Sequence, residues 1–378
     1  MNKIRTALFG VGNCASALVQ GRYYYADKSA NVPGLITKDL GGYYASDIDY
    51  VAAFDIDQRK VGKDLSEAIF SPPNCTTIFQ KEIPPMNCGV EMGYTIDSIA
   101  NHNNTFPDNE RFCPLANIDS DEREAQRRIV ESLRRHKVEV VVNYLPVGSE
   151  QNVHLYARCA IEAGAAFVNA VPVFVSKTMG EQFRKAELPI LGDDIKSQVG
   201  ATIIHRVLAK LFEDRGHPVK KTYQLNVGGN TDFMNMLDRN RLESKKISKT
   251  QAVTSQFGEN GPTENNIHVG PSDYVSWLDD NKVCFIKIEA EQFGGVPMNV
   301  ELRLSVEDSP NSAGVITDAI RAAKVALNRK LSGPIIEASA YLFKSPVKQF
   351  DDSTARQMLI DFANNIEQLS DQLATSES

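Results

Sequence analysis

The segment that most constrains the fold is a strand, a glycine turn and a helix at the start of the chain. Residues 3–9 are apolar and rich in β-forming residues, and Gly10-Val-Gly-Asn-Cys-Ala15 follows directly, before an apolar, helix-like segment at residues 16–20. A strand, a glycine turn and a helix in this order are typical of the start of a parallel α/β sheet. The glycines let the backbone approach a diphosphate, which binds at the N-terminus of the helix. The pattern predicts a dinucleotide site at Gly10, Gly12, Asn13, Cys14 and Ala15, although a tight turn without a ligand has the same spacing.

A second predicted strand, residues 50–54, ends at Asp55. An acid at this position accepts hydrogen bonds from ribose hydroxyls and disfavours the extra phosphate of NADP, so the sequence predicts NAD as the cofactor. Asp55 comes about twenty residues later than usual, which we attribute to an inserted loop at residues 22–49. Asp64 is a further candidate for a cofactor contact, but an acid three residues before Glu67 is also typical of a helix N-cap.

Polar residues follow three further predicted strands, at residues 138–142, 167–168 and 189–191. Ligands of open α/β sheets bind at the carboxyl ends of the strands, so we predict a nicotinamide-side contact from Asn143. Tyr156, on the next predicted helix, is a candidate too, but a buried structural tyrosine is an equal alternative. Residues 71–117 contain proline pairs and an asparagine-rich stretch and predict an irregular excursion without an assigned role.

The chain changes character after residue 197. Strands are predicted at residues 221–227, 283–293 and 298–306, the last two joined as a hairpin at Gly294-Gly295. Residues 258–271 predict a loop, and residues 308–329 predict a helix. We therefore predict an α/β fold with two domains. Residues 1–197 and 309–378 form a Rossmann-like domain, with a doubly wound parallel sheet, that binds NAD. Residues 198–308 form a second, α+β domain for catalysis and oligomerisation.

Composition narrows the classes of partner. The net charge of −7 argues against nucleic acid or an anionic membrane as the main partner. No secretory signal and no apolar run long enough for a membrane span is evident, so we expect a cytoplasmic protein. The six cysteines form no CxxC pair and the histidines no metal motif, which argues against disulfides and structural zinc. A cation held by oxygen ligands remains compatible with the sequence.

Lysines and acids in the second half of the chain predict an anion site. Lys245 and Lys249 are four residues apart and share one face of a predicted helix, where like charges repel unless an anion lies between them. A solvated charged surface is the alternative. Further lysines and acids occur in polar motifs at Lys196, Lys282, Lys344, Asp193, Asp194, Asp232 and Asp308. Several ammonium groups beside a nicotinamide suit an anionic, usually phosphorylated substrate and an enolate formed from it.

These motifs, in their order, resemble the myo-inositol-phosphate synthase family in its short prokaryotic form. The resemblance extends over about residues 4–350. It rests on Gly10-Val-Gly-Asn-Cys-Ala-Ser16, Leu191-Gly-Asp-Asp-Ile-Lys-Ser197, Asn226-Val-Gly-Gly-Asn230, Ser244-Lys-Lys-Ile-Ser-Lys249, the stretch 273–282, Asp308-Ser-Pro-Asn-Ser and Ser339-Ala-Tyr-Leu-Phe-Lys-Ser-Pro346.

The resemblance implies a redox-neutral, NAD-dependent isomerase that converts D-glucose 6-phosphate to 1D-myo-inositol 3-phosphate, and a homotetramer. It implies oxidation at C5, enolisation at C6, intramolecular aldol closure onto C1 and reduction at C5. It places Lys245, Lys249, Lys282 and Lys344 around the phosphate and the enolate, with Asp308 among the catalytic residues. By motif position, the resemblance implies cofactor contacts from Ser197, Asp232 and Lys245, and also from Asp64 and Tyr156.

Two other functions fit the same elements. One is an NAD-dependent dehydrogenase of a phosphorylated small molecule, which would release NADH with each turnover. The other is a non-catalytic NAD-binding regulator, which the lysines at 245, 249, 282 and 344 argue against because a sensor has no use for an enolate site.

Overall fold

The computed structural model describes residues 3–27, 31–238, 243–258 and 261–365, apart from the side chains of residues 243–246, 249, 264, 271 and 272. The strands are β1 Ile4–Phe9, β2 Ile48–Asp55, β3 Val90–Met92, β4 Val140–Asn143, β5 Ala166–Asn169, β6 Pro189–Leu191, β7 Val219–Gly228, β8 Ile267–Tyr274, β9 Asn281–Glu291, β10 Pro297–Glu307 and β11 Gly333–Pro334. The helices are α1 Asn13–Tyr24, α2 Leu65–Ala68, α3 Glu122–Arg135, α4 Glu150–Ala163, α5 Val175–Thr178, α6 Gly180–Lys185, α7 Ala201–Asp214, α8 Thr231–Asn235, α9 Glu243–Thr254, α10 Asp308–Asn328, α11 Ile336–Leu342 and α12 Asp352–Asn364.

The first sheet has seven parallel strands in the order β11-β6-β5-β4-β1-β2-β3. From β1 the chain winds outward through β2 to β3 and then returns to β4 on the other side of β1. This is the doubly wound order, and the crevice where the winding reverses lies outside the carboxyl ends of β1 and β4. The α/β fold class predicted from the sequence is confirmed.

The strands of this sheet are apolar on both sides because helices cover both faces. On one face Leu8 and Val142 lie in a cluster with α1 and the buried helix α10. On the other face Phe9 and Val141 pack with α3 and α4. Helix α10 follows the second sheet in the chain but packs on the first, beside α1.

The second sheet has the order β10-β9-β7-β8, with antiparallel pairs except for the parallel pair β7–β8. Helix α7 packs on it through Ala201 and Phe212, which join Ile286 and Ile288 in a separate core. The predicted hairpin of β9 and β10 is confirmed, with a turn at residues 293–295. The strands of the first sheet come from residues 4–191 and 333–334, and those of the second sheet from residues 219–307. The domain boundaries at residues 198 and 308 stay a prediction.

Two predictions of irregular structure were wrong in part. Residues 258–271 were predicted as a loop, but β8 begins at Ile267 and pairs with β7 through the backbone. The excursion at 71–117 contains β3, which pairs with residues 53–55 of β2 and forms the edge of the first sheet. A strand of three residues is too short to show a periodicity, and the polar residues of β8 hide one. Helix α12 is described from Asp352 to Asn364.

Candidate active site

The glycine turn joins β1 to α1 at the crevice. Gly10 has φ +92°, and a Cβ there would lie 2.8 Å from the carbonyl oxygen of Tyr144, so only glycine fits. A Cβ on Gly12 would meet no atom within 4 Å, so this backbone is open to a ligand. Gly12 is also the N-cap of α1 and offers no side-chain acceptor to the first-turn N–H groups. The turn borders a cavity, to which the predicted residues Gly10, Gly12, Asn13, Cys14 and Ala15 all contribute.

Asp55, at the end of β2, lines the same cavity. Its Oδ2 accepts a hydrogen bond from the Val11 N–H at 2.7 Å, and its Oδ1 accepts from the N–H groups of Ile56 and Asp57 at 2.7 and 2.9 Å. The carboxylate therefore fixes the glycine turn against β2 and lies where the ribose contact was predicted. Ser197 and Tyr156 also line the cavity. The Tyr156 ring stacks on Phe9 with centroids 4.1 Å apart, and its hydroxyl donates to the Tyr94 carbonyl oxygen at 3.1 Å.

The opposite wall carries the predicted charges. Strand β9 begins and β10 ends beside the start of α10, which brings Lys282 and Asp308 together as an ion pair. Burial is the largest single influence on Lys282 and would lower its pKa, but the charge and hydrogen bond of Asp308, together with the charge of Asp232, raise the pKa above its usual value. The ammonium group is therefore held protonated. Asp232, in the first turn of α8, lines the same wall.

A second lysine–carboxylate pair is formed by Lys344 and Asp194. Lys344 Nζ donates to Asp194 Oδ1 at 2.7 Å, and both residues line the cavity. Asp194 Oδ2 accepts from the Ser248 hydroxyl at 2.6 Å, and Ser248 accepts from the Ser345 hydroxyl at 2.7 Å. This chain of hydrogen bonds docks α9 against the first sheet. The backbones of Lys245 and Lys249 lie in α9, but their side chains lie outside the described residues.

Two buried groups beside the cavity were not predicted from the sequence. Asp280 accepts hydrogen bonds from Asn230 at 3.0 Å and from the N–H and hydroxyl of Ser309 at 3.1 and 2.9 Å. Burial, and then the charge of Asp308, raises the pKa of Asp280 to about 6. Lys60 lies under the glycine turn. No local pattern indicates a buried lysine here, because Lys60 follows a polar stretch at residues 57–59 that is typical of a surface.

Cys14 is partly buried where α1 meets α10. Burial, and then the charge of Asp280, raises the pKa of its thiol to about 12. A thiol with so high a pKa stays neutral near neutral pH and is a poor nucleophile. Its place in the cavity wall is therefore that of a small packing residue.

Two predicted cofactor contacts do not line the cavity. The carboxylate of Asp64 caps α2 through the Ser66 N–H at 2.9 Å and also accepts from the N–H groups of Met86 and Cys88, both at 3.1 Å. Asn143 is fully buried and donates to Asn169 Oδ1 at 2.8 Å, which ties β4 to β5. Neither side chain lines the cavity, so the two cofactor contacts stay predictions that this geometry does not support.

Neither a membrane span nor a metal cluster is evident in the described ranges. No helix there has the length and apolar character needed to cross a bilayer. No group of three or more His, Cys, Asp or Glu side chains in the same ranges could hold a metal ion. The cation considered from the sequence therefore gains no support.

Together, the doubly wound sheet, the open glycine turn and the two lysine–carboxylate pairs define a Rossmann-type enzyme with a dinucleotide-type turn and a second wall of paired lysines and carboxylates. The family model described as myo-inositol-1-phosphate synthase matches residues 200–309, which span most of the second sheet and its helices. The chain is 53% identical to the inositol-3-phosphate synthase of Mycobacterium tuberculosis over 95% of both chains. It is 52% identical to that of Corynebacterium glutamicum over 95% of this chain and 98% of the relative.

The chain belongs to the inositol-3-phosphate synthase family, whose members are isomerases. The resemblance noted in the sequence is therefore confirmed. The fold is shared with a myo-inositol-1-phosphate synthase-related protein from Thermotoga maritima, at 24% identity and a TM-score of 0.81, over 96% of this chain and 98% of that one.

Proposed function

We propose that this protein converts D-glucose 6-phosphate to 1D-myo-inositol 3-phosphate, with NAD as a cofactor that is reduced and reoxidised within each turnover. The proposal rests on one observation: the glycine turn and the pairs Lys282–Asp308 and Lys344–Asp194 line the same cavity. A redox cofactor can oxidise the substrate to a ketone, and ammonium groups beside it can stabilise the negative charge of the enolate formed from that ketone. Membership of the family supports the same reaction.

The residues present fit a dinucleotide. Gly12 leaves open space above the turn, the first-turn N–H groups of α1 favour a diphosphate, and Asp55 ends β2 where a ribose is bound in such folds. We assign Ser197, Asp232 and Tyr156 to the nicotinamide half of the site because they line the same cavity. When bound, NAD supplies removal of hydride from C5 and its later return.

Lys282 is assigned to the oxygen on C5. With C5 at the ketone level, a proton on C6 becomes acidic, and its loss places negative charge on the C5 oxygen. A protonated ammonium stabilises that charge in a site from which water is excluded. Asp308 keeps Lys282 protonated and holds the position of its Nζ.

The remaining cations are assigned to the phosphate and to the closing bond. Lys344, fixed by Asp194, is placed to bind phosphate or to pass a proton to the C1 oxygen as C6 bonds to C1. Lys245 and Lys249 are assigned to the same anions from their motif and from the docking of α9. The ammonium groups of this wall suit an anionic substrate better than a neutral alcohol.

We also infer that the protein is a homotetramer in the cytoplasm. Strand β10 is an edge strand of the second sheet, and helix α7, which packs on β7 and β9 of that sheet, exposes Val207 and Leu211, at 54% and 51%, one helical turn apart. Apolar side chains repeated on one exposed helix face favour burial against another copy of the chain. The six cysteines, all in the described residues, form no disulfide, which supports a reducing compartment.

The test is to incubate the purified protein with glucose 6-phosphate and NAD. Phosphorus NMR would follow inositol phosphate, and absorbance in the near ultraviolet would follow NADH. We expect inositol phosphate to accumulate while NADH stays below the enzyme concentration. NADH that grows with substrate would instead establish a dehydrogenase, and NAD binding without any turnover would establish a regulator.

A further inference from the structure

Lys60 is a buried cation under the glycine turn that the sequence did not predict. It is 1% exposed and it lines the cavity. Its Nζ donates to the Val11 carbonyl oxygen at 2.7 Å and to Asn74 Oδ1 at 2.8 Å. Asn74 in turn donates to the carbonyl oxygens of Val11 and Ile69 at 3.1 and 2.8 Å, so both side chains are fixed against the turn.

The two acceptors of Lys60 are neutral, and no ion pair with a carboxylate involves its Nζ within the described part of the chain. The nearby acids are engaged elsewhere. Asp55 accepts three backbone hydrogen bonds, and Asp57 is paired with Arg59 at 2.6 Å. Burial lowers the pKa of Lys60, and the charges of Asp55 and Asp57 offset this only in part.

A buried charge without a partner of opposite sign is costly, so such a group is retained where a ligand supplies that partner. Val11, whose carbonyl oxygen holds Nζ, lies between the two glycines of the turn. The N–H groups that follow it open the first turn of α1, where a diphosphate is favoured. Lys60 therefore adds a full positive charge behind a site that otherwise offers only the partial charges of the backbone.

We propose that Lys60 is a specificity-determining residue for the dinucleotide diphosphate, whose charge it neutralises from beneath the glycine turn. The inference rests on the proposed use of NAD. It differs from a purely mechanical role, in which Lys60 only ties Val11 to Asn74. The two roles predict different ligand affinities. A positive charge strengthens the binding of ligands that carry phosphate, whereas hydrogen bonds that hold the turn in place affect the binding of every ligand of the turn.

The test compares ligands with and without phosphates. Calorimetric titrations with NAD, ADP and adenosine would be made on the wild type, Lys60→Met and Lys60→Gln. The Gln variant keeps a donor for the Val11 carbonyl oxygen but removes the charge. We expect the affinity of both variants for NAD and ADP to fall by about tenfold or more, as for loss of a close charge in a partly buried site. Adenosine affinity should stay within about twofold, because adenosine carries no phosphate charge.

Lys63→Met is the matched control. Lys63 is an exposed lysine three residues away whose Nζ donates to Ser71 at 2.9 Å, and its replacement should leave all three affinities unchanged. Unchanged NAD affinity in both Lys60 variants would overturn the inference. An equal loss for adenosine and NAD in Lys60→Gln would overturn it too, in favour of the mechanical tie. Absence of NAD binding in the wild type would instead reject the proposed function, and this inference with it.

Discussion

At the scale of single residues, Lys282 depends on Asp308 for its charge. The ammonium group is buried, so without a carboxylate its pKa would fall; with Asp308 beside it, its pKa is raised. The pair therefore delivers a permanent positive charge to the cavity, which is the property that stabilisation of an enolate oxygen requires.

Replacement of Lys282 should separate binding from chemistry. In Lys282→Met we expect turnover of glucose 6-phosphate to fall by about 100-fold or more, because a charge contact to the transition state is lost. NAD affinity should change little, since the glycine turn lies on the opposite wall. Steady-state kinetics and calorimetry would measure the two effects.

The control for Lys282 is Lys287→Met. Lys287 lies on the same strand but faces Glu289 and Glu301 at 3.4 and 3.5 Å. This variant should retain wild-type turnover. Turnover of Lys282→Met close to that of the wild type would remove Lys282 from the catalytic residues.

At the scale of elements, helix α9 is positioned by Ser248. This fully buried serine joins Asp194 to Ser345 and lies between the two lysines of its motif, at 245 and 249. A hydrogen bond to a carboxylate contributes about 1.5–3 kcal/mol, enough to fix the rotation of the helix about its axis. Ser248 is thus a positioning residue for the lysines.

Loss of the Ser248 hydroxyl should slow catalysis without weakening cofactor binding. In Ser248→Ala we expect kcat to fall by about tenfold or more, because the hydrogen bond that orients α9 is lost. NAD affinity should be unchanged, and kcat, KM and NAD binding would be measured together. Thr254→Ala, which removes a hydroxyl that donates to the Gln251 carbonyl oxygen of the same helix at 3.4 Å, should match the wild type. If the two variants had equal kcat, Ser248 would have no positioning role.

The packing of α7 on β7 predicts a pH dependence of stability. His205 Nε2 lies 2.7 Å from Thr222 Oγ1, and Nδ1 lies 3.3 Å from Gln224 Oε1. Burial lowers the pKa of His205 from 6.5 to about 4. Below pH 6.5 the imidazole of His205 is therefore protonated in the unfolded chain, whereas in the folded chain it stays neutral until the pH falls to about 4. The contribution of His205 to stability is complete above pH 6.5 and is lost as the pH falls toward 4.

Denaturant unfolding at two pH values would measure this effect. Between about pH 7 and about pH 5 we expect the wild type to lose about 2 kcal/mol of unfolding free energy through His205. His205→Gln should lack this loss, whereas His154→Gln, at a more accessible site, should keep it. Parallel curves for the wild type and His205→Gln would contradict the assignment.

The sequence predicted elements well where they were long or bordered by glycine, as for β1, α1, the β9–β10 hairpin and α10. It failed at β3 and β8, whose pairing is decided by neighbouring strands and not by their own periodicity. Asp64 and Asn143 lie outside the lining of the cavity that they were predicted to join, because a polar side chain at a strand end or helix start serves a cap or a ligand with the same local pattern.

At the scale of the whole molecule, the tetramer proposal concerns the exposed face of α7. Leu211 and Val207 are apolar and exposed on this helix, which packs on β7 and β9 of the second sheet. In Leu211→Glu we expect dissociation to smaller species, because a charge would have to be buried at the interface. Light scattering coupled to size exclusion would measure the mass.

The matched control is Lys210→Ala, which alters the adjacent residue of α7, one that pairs with Asp214 on the exposed face. This variant should remain tetrameric. A wild-type mass equal to one chain would reject the tetramer, and an unchanged tetramer in Leu211→Glu would place its interface elsewhere.

The sequence by itself determined the dinucleotide-type turn, the α/β class and the family, because these depend on local order: glycines after a strand, and motifs in sequence. Only the tertiary structure decided the pairings that make a site. Lys282 and Asp308 are separated by a whole hairpin, Lys344 and Asp194 lie 150 residues apart, and Lys60 meets the glycine turn across 49 residues. Burial and charge, which set the pKa of such groups, depend on these long-range contacts, and no local pattern records them.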